Sequence, residues 1–236
     1  MLFRRFVLGA ALAAPFAAGA QSWPAKPIRV VLPGPGGGLI DVGGRAISEI
    51  VHRELGQPLV IDPRPGANGI VAAQTVLGAP ADGYTLIVNS VGPIAVNPSL
   101  FDKLSYNPLT DLLPIVQIAE VPNVLIVHPS VPAQTLEEFL AYARHNPGAL
   151  NYCSTGIGTS SHLSGFMLAR RAGFEATHVP YKGSSGARTD VLGGQVDLMF
   201  DAVTTMAEHV KAGKVKALAT SGRARSSVLP DVPTVH

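Results

Sequence analysis

The feature that most constrains this chain is a series of short, nearly continuous apolar runs set apart by longer amphipathic stretches. "IRVVLP" (28–33), "PLVIDP" (58–63), "YTLIVNS" (84–90), "NVLIVHP" (123–129), "LNYCST" (150–155), "VDLMFDA" (196–202) and "VKALATS" (215–221) are rich in β-branched residues. They do not alternate polar with apolar, as strands with one wet face would, so they suit sheets covered on both faces. Between them lie helical patterns. In 41–55, Ile47, Ile50, Val51 and Leu55 fall on one stripe and Gly56 stands at the C-terminal cap position. In 136–145, Leu136, Phe139, Leu140 and Ala143 share a face, Thr135 can cap, and Glu137 and Glu138 suit the first turn. Strand and helix in alternation predict an α/β fold with a mainly parallel sheet.

That periodicity lapses at 101–123, where prolines and isolated apolar residues take over, and the chain is expected to cross between domains near 120–123. The expected division is a first domain at 21–121, a second at 122–221, and a return to the first at 222–236. Residues 1–20 read as an export signal instead of a domain: Arg4 and Arg5, an apolar run from Phe6 to Phe16, then Ala18-Gly19-Ala20 as a cleavage site. The run is shorter than the roughly 20 residues that span a bilayer. The general secretory route and the twin-arginine route both remain open.

Without Arg4 and Arg5 the chain's +2 formal charge falls to zero. It has no basic run interleaved with aromatics, so nucleic acid is not an expected partner. Cys153 is the sole cysteine, which excludes an internal disulfide and leaves stability to the core.

Two junctions carry chemistry. "VVLPGPGGGLID" (30–41) and "STGIGTSSH" (154–162) each pass from a strand through glycines into a helix. A helix leaves its first four N–H groups without intrahelical partners, and its dipole makes that end positive. Glycines let the backbone turn N–H groups toward a ligand with no Cβ in the way. Two such loops facing each other would hold a small carboxylate; either loop alone is also what a tight strand-to-helix turn requires. The glycines lack both the dinucleotide-binding spacing and the Gly-Lys-Ser/Thr of a phosphate loop. The seven histidines lack metal-binding spacing, and no cofactor is expected. Ser160, Ser161 and His162 with Asp201 could be assembled into a hydrolase, although no G-x-S-x-G elbow is present. Asp201 ends an apolar run, at the edge where open α/β sheets bind ligands.

Taken in order, "PGPGGGLID", "DPRPGANG", "ADGYTL", "NYCSTGIGTSSHL", "THVPYKGS", "LGGQVDLMFD", "VKAGKVKALA" and "LPDVPTV" closely resemble the Bug family, extracytoplasmic solute-binding receptors of tripartite tricarboxylate transporters. The resemblance implies a periplasmic, monomeric receptor of the type II-like binding-protein class, two α/β domains closing on a citrate-like acid, a dicarboxylate or an acidic amino acid. Its partners would be the transporter's membrane subunits, or a signalling protein if the pocket serves as a sensor. The implied ligand residues are Pro35, Gly36, Gly37, Gly38 and Asp41 from the first loop and Ser154, Thr155, Gly156, Gly158, Thr159, Ser160 and His162 from the second, joined by Asp201. Gly34 and Ile40 depart from the family's usual aromatic and hydroxyl residues, and Cys153 from a small one. Family members also continue beyond "LPDVPTV", so part of the first domain is expected to be missing.

Overall fold

The computed structural model describes residues 22–235, and the expected export signal lies outside them. The first lobe holds β1 (Ile28–Leu32), α1 (Leu39–Leu55), β2 (Leu59–Pro63), a 3-10 turn at Ala67–Gly69 leading into α2 (Ile70–Leu77), and β3 (Thr85–Ile87). Its three strands lie in the order β2-β1-β3, all parallel. β1 takes the centre, with Ile28, Val30, Val31 and Leu32 buried. Parallel neighbours need a crossover, and α1 and α2 supply it. α1 stops where Gly56 adopts a left-handed φ of 69° and donates its N–H to the His52 carbonyl. A π turn at Gly92–Val96 and the short α3 (Asn97–Leu100) follow, after which 101–122 runs without regular structure.

The second lobe contains β4 (Asn123–Val127), α4 (Leu136–His145), β5 (Leu150–Ser154), α5 (Ser160–Ala172), β6 (Ala176–Pro180), α6 (Ser184–Leu192), β7 (Leu198–Ala202), α7 (Val203–Lys211) and β8 (Lys216–Thr220). The sheet order is β6-β5-β7-β4-β8. β5 is parallel to β6 and β7, but β4 runs antiparallel to both β7 and β8, so this sheet is mixed where the apolar runs had suggested parallel pairing. The reason is where the chain enters. Asn123 pairs with Ala202 and Val124 with Thr220, so β4 starts at the edge where β7 and β8 end and must run away from it. The strands at that crossing are tied together. Asn123 N–H donates to Ser221 Oγ at 2.9 Å, Ser221 N–H to the Asn123 carbonyl at 2.8 Å, and Val203 N–H to the Pro122 carbonyl at 3.0 Å.

Both faces of the second sheet are covered. One face packs Val124, Ile126, Cys153, Met199 and Met206 with Leu229; the other packs Leu125, Val127, Phe139, Tyr152, Phe200 and Leu218. Burial pushes the Cys153 thiol up to about 12, the environment of an inert core cysteine. No described helix is long and apolar enough to cross a membrane.

Candidate functional site

The first glycine junction leaves β1 and enters α1 at Leu39, two residues before Asp41. Gly38 caps it in extended conformation without a side-chain cap. The N–H groups of the opening turn therefore point outward with no carbonyl behind them. Asp41 is buried and already engaged: Oδ2 accepts the Gly37 N–H at 2.9 Å and Oδ1 accepts from Arg45 Nε at 3.0 Å. The Arg45 hydrogen bond, then that of Gly37, holds its carboxyl below the ordinary value. Asp41 thus shapes the loop, and one predicted donor, the Gly37 N–H, is spent on it.

The second junction joins β5 to α5. Ser154 Oγ takes the Gly156 N–H at 3.2 Å and lies 2.7 Å from His178 Nε2. Thr159 caps α5 by accepting the His162 N–H, and its hydroxyl donates to the Gly156 carbonyl at 2.7 Å. Gly158 N–H donates to His162 Nδ1 at 3.1 Å. His162 and His178 stack with ring centres 4.2 Å apart, and Tyr152 stacks on His178 at 4.7 Å. Burial lowers both imidazoles' pKa values, that of His178 to about 4 with repulsion from His162 adding to it. The Gly158 N–H on Nδ1 of His162 requires that nitrogen to be an acceptor, and the lowered pKa is in keeping with it. Ser160 is exposed at the first position of the helix.

A third junction, overlooked as a site in the sequence although "YKGSSG" has the same strand-glycine-helix grammar, joins β6 to α6. It is zipped to the second: Tyr181 N–H donates to the Ser154 carbonyl at 3.1 Å and Gly183 N–H to the Thr155 carbonyl at 3.0 Å.

The lobes meet where these junctions converge. Gly183 (φ 106°) faces Pro35 so closely that a Cβ there would lie 2.6 Å from Pro35 Cγ. A Cβ on Gly158 (φ 79°) would lie 2.6 Å from Leu100 Cδ2 and 2.7 Å from Asn68 Nδ2. Both φ values disfavour a side chain, and at Gly183 the Pro35 ring stands in its way as well. Ser184 Oγ lies 3.4 Å from where a Gly38 Cβ would be. The opening turns of α1 and α6, and the glycine loop that leads into α5, are therefore gathered at one inter-lobe seam. Its first-lobe wall is held by residues the sequence reading passed over. Asn68 donates to Asn97 Oδ1 at 2.7 Å, and the wholly buried Asn97 donates to Tyr106 Oη at 3.2 Å. The signal for Asn68 was its Asn-Gly dipeptide, which favours left-handed backbone; its φ is 48°.

Asp201 sits at the end of β7, buried, accepting the Ala202 N–H at 2.9 Å and Arg188 Nη2 at 3.3 Å. Burial raises its pKa, opposed by those two donors. The hydrolase arrangement does not assemble. Ser161 donates its hydroxyl to the Phe200 carbonyl, His162 Nδ1 is taken by Gly158, and Asp201 is paired with Arg188.

The sequence model of the tripartite tricarboxylate transporter family receptor matches residues 44–236. A UPF0065 protein in the tcbD-tcbE intergenic region of Pseudomonas sp. strain P51 is 39% identical over 215 residues, 91% of this chain and 64% of that protein. The chain thus spans about two thirds of that relative's length. Rpa4515 of R. palustris, solved with adipate, superposes with a TM-score of 0.87 at 36% identity, covering 90% of this chain and 71% of that one. MatC (Rpa3494) of Rhodopseudomonas palustris, with bound malate, gives 0.83 at 36% identity over 89% and 72%. The chain also superposes on the periplasmic binding protein BugD with a TM-score of 0.84 at 34% identity, and these likenesses establish a periplasmic-binding-protein fold. On the family match over most of its length, this chain belongs to the tripartite tricarboxylate transporter receptor family.

Proposed function

We propose that this protein is an extracytoplasmic receptor that captures a small carboxylate between its lobes and delivers it to transporter membrane subunits. The observation that supports the reading is the convergence of three helix openings, α1, α5 and α6, on one seam between the lobes. In it the carboxylate is held by N–H groups of the loops at Pro35–Asp41 and Ser154–His162, with Asp201 at the floor. Hydrogen bonds to a charged acceptor contribute roughly 1.5–3 kcal/mol each, so four to six of them offset the cost of association and still reach the roughly 8 kcal/mol of micromolar binding. The lobes act as hinged domains, 21–121 and 122–221, with the tie between Asn123 and Ser221 at the hinge. Export through residues 1–20 and action as a monomer complete the reading.

A thermal melt of the purified protein with and without citrate, malate, succinate, adipate, glutamate and aspartate tests it. A ligand at a hundred times its Kd adds about 2.7 kcal/mol, a rise of roughly 5–10 °C for a chain of this size. A rise with at least one acid supports the receptor; a cooperative melt that none of them moves refutes it.

A further inference from the structure

Arg188, on the helix that opens at the seam, carries a buried donor with no partner among the described residues. It lies on α6 at four and three residues from Ser184 and Ser185, hence on the same helix face. Long helical side chains lie back toward the turn before their own Cα, which directs Arg188 toward the opening end of α6. That turn is the part facing the first lobe, with Ser184 and Ser185 opposite Gly38 and Gly37. The side chain is only 18% exposed. Its one acidic partner, Asp201, receives a single bond, from Nη2 at 3.3 Å. Arg188 Nε is buried and has no hydrogen-bond partner among the described residues. A buried donor left unmade is costly, and native structures satisfy nearly all of them. A guanidinium presents five donors in a planar fork shaped for carboxylates, and Asp201 uses one corner of it.

We propose that Arg188 is a specificity-determining residue that binds the second carboxylate of a dicarboxylate ligand through its Nε edge, while the first carboxylate rests on the openings of α1 and α5. Asp201 is the positioning residue: it holds the guanidinium by Nη2 and keeps the fork facing the cleft. The inference rests on the receptor reading and narrows it from carboxylates in general to dicarboxylates.

Calorimetric titration with adipate against hexanoate, and succinate against butyrate, tests the idea in the full chain and in Arg188→Met. The wild type should prefer each diacid to its monoacid. Arg188→Met should lower adipate affinity about 10–100-fold, the range of a lost charge-assisted contact, and leave hexanoate within about threefold. Arg188→Lys should fall between, because an ammonium cannot form the two-pronged contact. Because Arg188→Met strands the buried Asp201, the double variant Arg188→Met/Asp201→Asn, which removes both charges, is measured beside it and must show the same loss of diacid preference. An unchanged diacid-to-monoacid ratio in a variant that still binds, or equal binding of both acids by the wild type, overturns this inference alone. A wild type that binds no acid at all overturns the receptor reading and this one with it.

Discussion

The two lobes are built from the same grammar of strand, glycine junction and helix, yet they are unequally finished. In the second, every residue of β4 and β7 is buried and both faces of the five-stranded sheet carry large apolar clusters. In the first, a three-stranded sheet buries most of β1, while every residue of β2 and β3 keeps some exposure. Leu113 is 90% exposed, and Leu109, Ile115 and Val116 also stand in solvent. The difference teaches that the inter-lobe seam joins a sheet covered on both faces to one that is only partly covered. Across the seam the two lobes approach each other at Pro35, Asn68 and Leu100.

The largest effect should come from the second lobe's core. Phe139 is wholly buried and meets Phe174 edge-on, ring centres 5.8 Å apart, so Phe139→Ala should cost about 3–5 kcal/mol in denaturant unfolding. If it cost as little as a surface change, the asymmetry would be broken. Next is the seam. Gly158→Val puts a β-branched residue at φ 79° against Leu100 and Asn68; strain of roughly 1–3 kcal/mol should lower carboxylate affinity at least about tenfold in titration. The second lobe should remain folded by far-ultraviolet circular dichroism.

A smaller effect is set by pH. The pKa of His178 is about 4 in the folded protein against 6.5 when unperturbed. Below pH 6.5 the unfolded chain takes up a proton that the folded chain refuses, so this histidine's share of stability is present above that pH and lost as pH falls toward 4. His162 acts in the same direction, whereas the raised pKa of Asp201 acts in the opposite one. His178→Gln should therefore flatten the fall in Tm between pH 6.5 and 4 relative to the wild type; an unchanged slope would sink the assignment. The smallest effect is expected in the first lobe's exposed strip. Leu113→Ser should change stability by less than about 0.5 kcal/mol, and a larger loss would show that the strip is packed in solution.

Most of the strands and several helix ends could be read locally. The run "NVLIVHP" became β4, Thr135 caps α4 with its Oγ1 accepting the Glu138 N–H, and the glycines of 154–162 do open into a helix, α5. Less of the candidate site was legible. The first two glycine junctions stood out by composition, but the third looked no different from an ordinary turn until Gly183 was seen against Pro35. The Gly37 N–H looked free until Asp41 was found accepting it.

The sequence alone determined most of the strands, several of the helices and two of the glycine-opened helix ends, because those rules act within a few residues of each other. Tertiary structure decided the direction of β4, which follows from where the chain enters the second lobe. It also decided which junctions face one another and the joining of Arg188 to Asp201 beside an unpaired Nε. Those are contacts between residues far apart in the chain, and only packing brings them within reach.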